Sequence, residues 1–430
     1  MKLEIENFAK IKKASINLDG ITVIAGPNNS GKSTVGKILY SLFNAGNNIK
    51  QSVINTKKRR LKLAYRNVLT HYDLSDTYIY PKMRSYLRKA IDALNFEQSS
   101  EDVCKQFFSI LNNSLTNIGV SFNQDVENRI TEEFNKVLSV PNDKLARFIV
   151  SQYFRKVFNE QINNIENTEL IAKIQTNIKN KNINLEFKDD ELISMDKNID
   201  LVNLSTYIDN PFVLDKLSQY DEDESVFSVT DTDLLEKLSL ANQRNDATGI
   251  EDEALSRALI SNEIQKIIDE INVVIPGTIS YSGSKYVYRN KKSGTELDVK
   301  SLSTGIKSIA IIKQLLLNQK IKERDVLILD EPEVHLHPEW QLKYAELIVL
   351  LQKAFDLTIV VTTHSSHFLE ALDLYSKIYK TNDKCSYYLA ASESNFSFFE
   401  NVTEQLEKIY SSLVSPNFLI DKLKEKWDIE

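Results

Sequence analysis

Residues 26–34 form the strongest chemical motif of this 430-residue sequence. They fit the pattern G-x-x-x-x-G-K-[ST], with a short β-rich apolar run before them and helical spacing of apolar residues after them. In such a loop, successive backbone N–H groups point at a phosphate, and the N-terminus of the following helix adds a favourable dipole. The motif predicts that the chain binds a nucleoside triphosphate, namely ATP with Mg²⁺. The loop residues expected to contact the nucleotide are Gly26, Asn28, Asn29, Ser30, Gly31, Lys32, Ser33 and Thr34.

Two side chains of this loop have individual roles in the predicted chemistry. The Lys32 ammonium group is expected to reach the β- and γ-phosphates, and the Ser33 hydroxyl group is placed to bind Mg²⁺. Glycine-bounded loops also occur as ordinary turns, so the strand before this loop and the helix after it are what make the assignment specific.

A second motif ends a purely apolar run. Residues 326–329 are all apolar, and Asp330 and Glu331 follow them. Asp330 is expected to hold Mg²⁺ through its water shell, and Glu331 is expected to polarise the attacking water. Alone, such a run is often just a strand that exits to solvent, but together with the phosphate loop it indicates ATP hydrolysis.

Two further motifs gain meaning from their order along the chain. Ser303, Thr304 and Gly305 begin a helical pattern, and on their own they would be an ordinary helix cap. They precede the acidic strand end, which is the order of the signature and the Walker B strand in ABC-class ATPases. His364 follows the β-rich run at residues 359–361, where a histidine can hydrogen-bond the γ-phosphate and sense hydrolysis.

Composition narrows the class of protein. The hydrophobic fraction of 42% is ordinary for a soluble protein, and the net charge of −7 argues against a surface that is basic throughout. No apolar run approaches the roughly 18 residues of a membrane helix, and the N-terminus does not resemble a secretory signal. We therefore expect a cytoplasmic protein without membrane contact. Cys104 and Cys385 lie far apart and outside any CxxC pair, which indicates reduced structural thiols.

Strand-like and helical segments are distributed unevenly along the chain. Residues 1–47 and 273–430 alternate strand and helix patterns, which predicts an α/β core. Residues 48–272 are mainly helical, with a hairpin predicted from residues 183–187 and 192–195. We interpret the chain as an ATPase core that is split in sequence by a large, mainly helical insertion.

The ordered set of motifs resembles the ABC-type ATPase head of the SMC, Rad50, RecF and OLD proteins. The matching stretches are GPNNSGKST at residues 26–34, LSTGIK at 302–307, LILDEPEVHLHP at 327–338 and TTH at 362–364. The resemblance implies an α/β P-loop NTPase fold of the ABC type with a helical insertion. It also implies that Ser303 and Gly305 contact ATP bound to a second subunit, and that His364 is the switch histidine. The expected partner is therefore the chain itself, in a head-to-head dimer or a higher oligomer.

The sequence departs from the family pattern at several positions. Thr304 and Ile306 stand where transporters of the ABC class have Gly and Gln, and His337 replaces the usual Asp of the D-loop. His335 and His337 could also be a metal pair, although the sequence assigns no third ligand to it. No glutamine is assigned to the Q-loop.

Two other stretches each allow a structural and a functional interpretation. The basic cluster at residues 57–60 is either a solvated helix face or a contact for DNA, RNA or a partner protein. Residues 207–211 resemble a stretch of small defence-type ATPases and are predicted to form a strand and a turn without a chemical role.

The form of residues 333–338 resembles OLD-like and bacterial defence ATPases more than transporters. Only 66 residues follow His364, too few for the nuclease domain of an OLD protein. We therefore expect the ATPase subunit of a prokaryotic anti-phage defence system of the Septu or PARIS type, which regulates a separate nuclease or toxin. Two alternatives stay open. One is a DNA-repair ATPase resembling RecF or SMC that clamps DNA directly, and the other is an ATP-bound scaffold that hydrolyses slowly or not at all.

Overall fold

The computed structural model describes residues 1–71, 80–117, 121–178, 181–196, 199–220, 227–240, 262–282, 285–290, 293–334, 336–393 and 395–413. Contacts divide the chain into two units, one of residues 1–47 with 152–430 and the other of residues 48–151. The first unit is built on a large sheet with helices, and the second is helical. The expected α/β fold with a helical insertion is confirmed.

Strands occur in the first unit, in two sheets. They are β1 (Lys2–Phe8), β2 (Ile11–Asn17), β3 (Ile21–Ala25), β4 (Ala172–Ile178), β5 (Lys181–Lys188), β6 (Glu191–Met195), β7 (Ser205–Ile208), β8 (Gly277–Ser282), β9 (Lys285–Asn290), β10 (Glu296–Asp298), β11 (Val326–Asp330), β12 (Thr358–Thr363), β13 (Cys385–Glu393) and β14 (Phe396–Asn401). The larger sheet has the order β6-β5-β4-β1-β2-β14-β13-β3-β12-β11-β7, and β8, β9 and β10 form a small antiparallel sheet.

The strands β13, β3, β12, β11 and β7 run parallel to one another and form one side of the larger sheet, with β7 at its edge. Every residue of Ile21–Ala25 is buried, which explains why this strand is a continuous apolar run and not an alternating one. Parallel strands end at the same edge of a sheet, where α/β proteins bind their ligands. The residues that follow β3, β7, β11 and β12 therefore meet at one edge.

The α-helices that the structure describes in full are α1 (Lys32–Gly46), α2 (Ile49–His71), α3 (Tyr80–Asp92), α4 (Ser100–Thr116), α5 (Gln124–Leu138), α6 (Asn142–Val157), α7 (Leu217–Tyr220), α8 (Val229–Leu238), α9 (Asn262–Val274), α10 (Thr304–Leu317), α11 (Pro338–Phe355) and α12 (Ser366–Ile378). In the first unit, apolar side chains of α10, α11 and α12 share one core with those of β3, β11 and β12. This core fixes the strand ends at which the motifs lie.

The second unit has an apolar core of its own, to which α2, α3, α4 and α5 contribute. Its largest fully buried rings include Tyr65, Phe107 and Phe134, and the centroids of the two phenylalanine rings are 4.7 Å apart. The side chains of Ser99 and Asn123 accept backbone hydrogen bonds at the first turns of α4 and α5, so both helices begin at standard caps. In this unit, the helix starts that the capping residues favour are therefore the ones that the packed core contains.

The division by contacts differs from the sequence-based boundary at residue 272. The predicted hairpin is confirmed as the antiparallel pair β5 and β6. However, β4 pairs with β1, and β7 pairs with β11, so residues 172–208 extend the larger sheet on both of its sides. These strands place the second half of the predicted insertion in the first unit, and the separate helical unit ends at Ser151.

No helix within the described residues combines the length and the hydropathy that a membrane span needs.

Candidate active site

The phosphate loop connects the end of β3 to the start of α1. Gly31, the residue before α1, has φ 81°, a left-handed conformation that glycine adopts without a side-chain clash. The Ser30 hydroxyl donates to the Pro27 carbonyl oxygen at 2.8 Å and holds the loop closed on itself. The conformation of this loop therefore depends on the glycine at position 31 and on the hydroxyl group of Ser30.

Lys32 is the buried cation of the site, with 3% of its surface exposed. Its ammonium group donates to the carbonyl oxygens of Gly26 at 3.0 Å and Pro27 at 2.9 Å. It also lies 3.4 Å from Glu331 Oε1. The positive charge is thus held inside the loop, facing the acidic end of β11, where it can interact with a bound phosphate.

Asp330 accepts hydrogen bonds from three hydroxyl groups. Ser33 Oγ donates to Oδ1 at 3.0 Å, and Thr362 Oγ1 donates to the same oxygen. Tyr207 donates from its phenolic oxygen to Oδ2. The three donors belong to α1, β12 and β7, so three separate elements orient the carboxylate.

The donor set fits Mg²⁺, which prefers oxygen ligands and is usually held by one or two carboxylates together with substrate phosphates. Ser33 and Asp330 would hold the ion, and it would neutralise charge on the phosphates when bound. His335 lies outside the described residues, so the predicted metal pair of His335 and His337 stays a prediction. The described residues contain no group of three or more His, Cys, Asp or Glu that could hold a metal.

Glu331 has φ 51°, which is uncommon for a residue with a side chain. Its backbone N–H donates to Thr362 Oγ1 at 3.0 Å and to the Thr362 carbonyl oxygen at 3.1 Å. These two bonds to the neighbouring strand hold the strained conformation. Such strain is typical of residues whose position serves function, and here it fixes the carboxylate beside Lys32.

His364 lies beside two glutamates at the end of β12. Its Nδ1 is 3.5 Å from Glu331 Oε2 and 3.8 Å from Glu333 Oε1. Glu333 is buried, and its Oε1 accepts from the Thr363 hydroxyl at 2.6 Å and from the His364 backbone N–H at 3.1 Å. Burial raises the pKa of the Glu333 carboxyl. Glu333 thus positions the histidine, a role that the sequence alone did not suggest.

A cavity of about 550 Å³ opens beside the phosphate loop and the end of β11, within the size range of small-molecule sites. His364 is not among the residues that line it. Of the predicted residues, those that line it are Asn28, Asn29, Ser30, Gly31, Lys32, Ser33, Thr34, Asp330 and Glu331. Gly26 is not part of this lining, and its backbone N–H donates to the Thr363 carbonyl oxygen at 3.4 Å. The structure therefore brings the phosphate loop and both acidic residues to one cavity.

Ser303 and Gly305 lie outside the lining of this cavity. Ser303 is exposed just before α10. A Cβ atom on Gly305 would lie only 3.2 Å from the Trp340 ring, so a glycine permits this close packing of α10 on α11. These two residues do not contribute to the cavity of their own chain.

Residues 207–211 contribute to the site, contrary to the expectation of a strand and turn without a chemical role. Tyr207 contacts Asp330, and Asp209 and Asn210 line the cavity. Burial raises the pKa of the Asp209 carboxyl. The strand β7 is the parallel neighbour of β11, so its carboxyl end must lie beside Asp330. The short β-rich run before Asp209 was the one signal in the sequence.

Several solved structures are similar to this chain. The SMC head domain from Thermotoga maritima is 12% identical, with a TM-score of 0.39, over 93% of this chain and 98% of that one. An Smc head domain with an extended coiled coil, bound to the C-terminal domain of ScpA and derived from Pyrococcus furiosus, is 10% identical, with a TM-score of 0.34, over 96% and 98%. An Smc head domain with a coiled coil and joint from Pyrococcus yayanosii is 11% identical, with a TM-score of 0.37, over 97% and 99%.

The sequence also matches a protein family. The family is described as AAA_15, AAA ATPase domain, and the match covers residues 1–369. This range includes the phosphate loop, both acidic residues of the β11 end and His364. Because the match spans most of the 430 residues, the chain belongs to the AAA ATPase domain family.

Proposed function

We propose that the chain binds and hydrolyses ATP as the ATPase subunit of a prokaryotic anti-phage defence complex. In this proposal, ATP joins two copies of the chain in the cytoplasm, and the joined state switches a separate nuclease or toxin. The proposed ATPase activity rests on one observation: Lys32, Asp330 and Glu331 line the same cavity, and the Ser33 hydroxyl donates a hydrogen bond to Asp330.

The chemistry follows from the positions of these side chains. Lys32 binds the β- and γ-phosphates and stabilises the charge that develops on them during phosphoryl transfer. Glu331 accepts the proton of the attacking water, because its carboxylate lies at the cavity and its backbone is fixed by β12. We expect His364, whose Nδ1 lies 3.5 Å from Glu331 Oε2, to sense whether the γ-phosphate is still attached.

The proposed pairing of two copies explains the location of the signature residues. Ser303 is exposed and lies outside the cavity of its own chain, as does Gly305. A second copy that presents these residues to the cavity would complete the site, and the nucleotide would then hold the two copies together. Hydrolysis would weaken this contact, so ATP acts as a switch for assembly.

A substitution separates a hydrolysing enzyme from an ATP-bound scaffold. Glu331→Gln should lower the turnover number by at least about 100-fold while ATP binding is retained, because the general base is lost and the cavity keeps its shape. Turnover can be measured as phosphate release, with the exposed Glu339→Gln as the control variant. Unchanged turnover in Glu331→Gln would show that Glu331 is not the base.

The defence role requires a test in cells. The native operon, placed in a phage-sensitive host, should reduce the number of plaques, and Lys32→Ala should abolish this protection. Lys13→Ala removes an exposed lysine of β2 and should keep it. Co-purification with the product of a neighbouring gene would identify the effector. An operon that gives no protection, or protection that survives Lys32→Ala, would reject the proposed role.

A further inference from the structure

Helices α2 and α3 of the second unit are strongly basic, in a chain whose net charge is −7. The helix Ile49–His71 contains seven lysine and arginine residues and no aspartate or glutamate. The helix Tyr80–Asp92 contains four lysine and arginine residues and one carboxylate, Asp92. Positive charge is therefore concentrated on one pair of helices.

In the basic cluster at residues 57–60, two lysines bond to the backbone of the same unit and one arginine lines a cleft. Lys57 is buried, and its ammonium group donates to the carbonyl oxygens of Leu138 at 3.4 Å and Val140 at 2.8 Å. Lys58 donates to the Asp92 carbonyl oxygen at 2.8 Å. Arg59, in contrast, is exposed and lines a cleft. The ammonium groups of the two lysines thus donate to backbone carbonyl oxygens, whereas the exposed Arg59 side chain can contact a ligand in the cleft.

The cleft lies between α2 and α3 and has a volume of about 610 Å³. Every charged residue that lines it, within the described parts of the chain, is basic. The other lining residues are three leucines, Tyr65 and one serine. The basic residues are Arg59, Lys62 and Arg66 from α2 and Arg84 and Arg88 from α3. Positions 59, 62 and 66 are three and four residues apart, so these side chains share one face of α2. Two helices therefore direct cations toward the same space.

Most of these cations have no acidic partner in the described parts of the chain. Asp92 lies at the edge of the cleft, where it is 2.9 Å from Lys62 Nζ and 3.8 Å from Arg88 Nε. No ion pair is found there for Arg59, Arg66 or Arg84 among the residues that the structure describes. A concentration of like charge is unfavourable by itself, and a bound polyanion would relieve it.

We propose that the cleft between α2 and α3 binds the phosphodiester backbone of a nucleic acid. Four of its five cations are arginines, whose planar guanidinium groups donate paired hydrogen bonds to phosphate oxygens. Leu69 and Leu87 also line the cleft and are buried, whereas the four arginines are exposed. Protein–DNA interfaces are much more positively charged than protein–protein interfaces, which favours nucleic acid over an acidic protein as the ligand. The proposal does not depend on the effector proposed above.

The test compares two pairs of charge removals on the same helix. Arg84→Gln with Arg88→Gln removes two cleft cations, and Lys82→Gln with Lys89→Gln removes two exposed cations of α3 that do not line the cleft. The full chain is titrated with fluorescently labelled single-stranded DNA, duplex DNA and RNA between about 0.05 and about 0.2 M salt. Thermal unfolding of each variant confirms that it is folded.

The cleft variant should bind at least about tenfold more weakly, and the control pair should change affinity less than about threefold. For duplex DNA, the slope of log affinity against log salt should become shallower by about 1.8, because each lost phosphate contact contributes about 0.9. The three nucleic acids distinguish a preference for single strands, duplexes or RNA.

Three results would overturn the proposal. The wild-type chain could show no binding at the lowest salt concentration. The two variant pairs could lose affinity equally, which would indicate diffuse attraction to a positive surface. Polyglutamate could bind the cleft as tightly as nucleic acid, which would indicate an acidic protein as the ligand.

Discussion

Asp330 shows how one side chain of the site depends on residues that are distant in sequence. Its carboxylate accepts hydrogen bonds from Ser33, Thr362 and Tyr207, which lie on three different elements. Residues that orient a metal ligand commonly affect metal affinity almost as much as the ligand itself. The Tyr207 hydroxyl is therefore expected to influence Mg²⁺ binding without touching the nucleotide.

Tyr207→Phe should raise the Mg²⁺ concentration needed for half-maximal ATPase activity by about tenfold, because Asp330 loses one of its fixed donors. The measurement is the ATPase rate as a function of Mg²⁺ concentration at saturating ATP. Tyr40→Phe provides the control, since Tyr40 is also buried and donates to the Val229 carbonyl oxygen at 3.3 Å. An identical Mg²⁺ dependence in the two variants would show that the contact has no role in metal binding.

Glu333 gives the site a pH-dependent contribution to stability. Burial raises the pKa of this carboxyl above its ordinary value of 4.5, and its Oε2 is buried without a hydrogen-bond partner among the described residues. A group whose pKa is higher in the folded state stabilises the fold below the unfolded pKa, and this contribution is lost as the pH rises through the folded pKa. Glu333 therefore favours the folded state less at neutral than at acidic pH.

Glu333→Gln should remove this dependence, because glutamine keeps an acceptor for Thr363 and His364 and does not ionise. The Tm of the variant relative to wild type should rise as the pH is increased from about 5 to about 8. The comparison cancels the other carboxyl groups, which are the same in both proteins. A Tm difference that is constant across this range would mean that Glu333 ionises normally in the folded protein.

The sequence predicted the residues whose chemistry is local and not those that act through the sheet. The phosphate loop, Asp330 and Glu331 each form a continuous motif, so their place in one cavity followed from strand and helix patterns. Tyr207 reaches Asp330 because β7 pairs with β11, and this pairing joins segments more than a hundred residues apart. Periodicity reports the face of a strand and not its neighbour.

At the scale of elements, a buried lysine connects α10 to the segment that follows β7. Lys307 is 2% exposed, and its ammonium group lies 2.7 Å from Asp215 Oδ1. Asp215 belongs to the short 3-10 helix Pro211–Lys216, which directly follows Asn210 of the cavity lining. A salt bridge thus connects α10 to the segment that follows the cavity lining.

Lys307→Met should lower the free energy of unfolding by about 1–3 kcal/mol, because Asp215 loses a charged hydrogen-bond partner. Urea unfolding of Lys307→Met, Asp215→Ala and the double variant forms a double-mutant cycle that isolates the pair. Additive effects of the two substitutions would show that the contact contributes nothing to stability.

Elements whose pattern is local were predicted from the sequence. The pairing of the strands β4 and β7 with distant segments of the larger sheet was not. The hairpin of β5 and β6 was visible as two alternating runs, and α10 and α11 as helical spacing. Nothing in the sequence indicates that Lys307 is buried, since lysine is rarely buried without a partner. Its partner Asp215 lies in a stretch with no periodic pattern of its own.

At the scale of the whole molecule, the central claim is a nucleotide site shared by two copies of the chain. The phosphate loop, Asp330 and Glu331 line the cavity, and Ser303 and Gly305 lie outside it. A two-fold dimer would contain two such sites, each with the loop of one copy and the signature of the other. This arrangement makes the activity of one copy depend on side chains of its partner.

The claim is tested most directly by mixing two inactive variants. Lys32→Ala destroys the loop and keeps the signature, while Ser303→Arg blocks the signature and keeps the loop. Each variant alone should show no ATPase activity above background. In an equal mixture, half of the dimers are mixed and each has one intact site, so about a quarter of the wild-type rate should return. A mixture that stays at the background rate, or a Ser303→Arg variant that is fully active alone, would contradict the shared site.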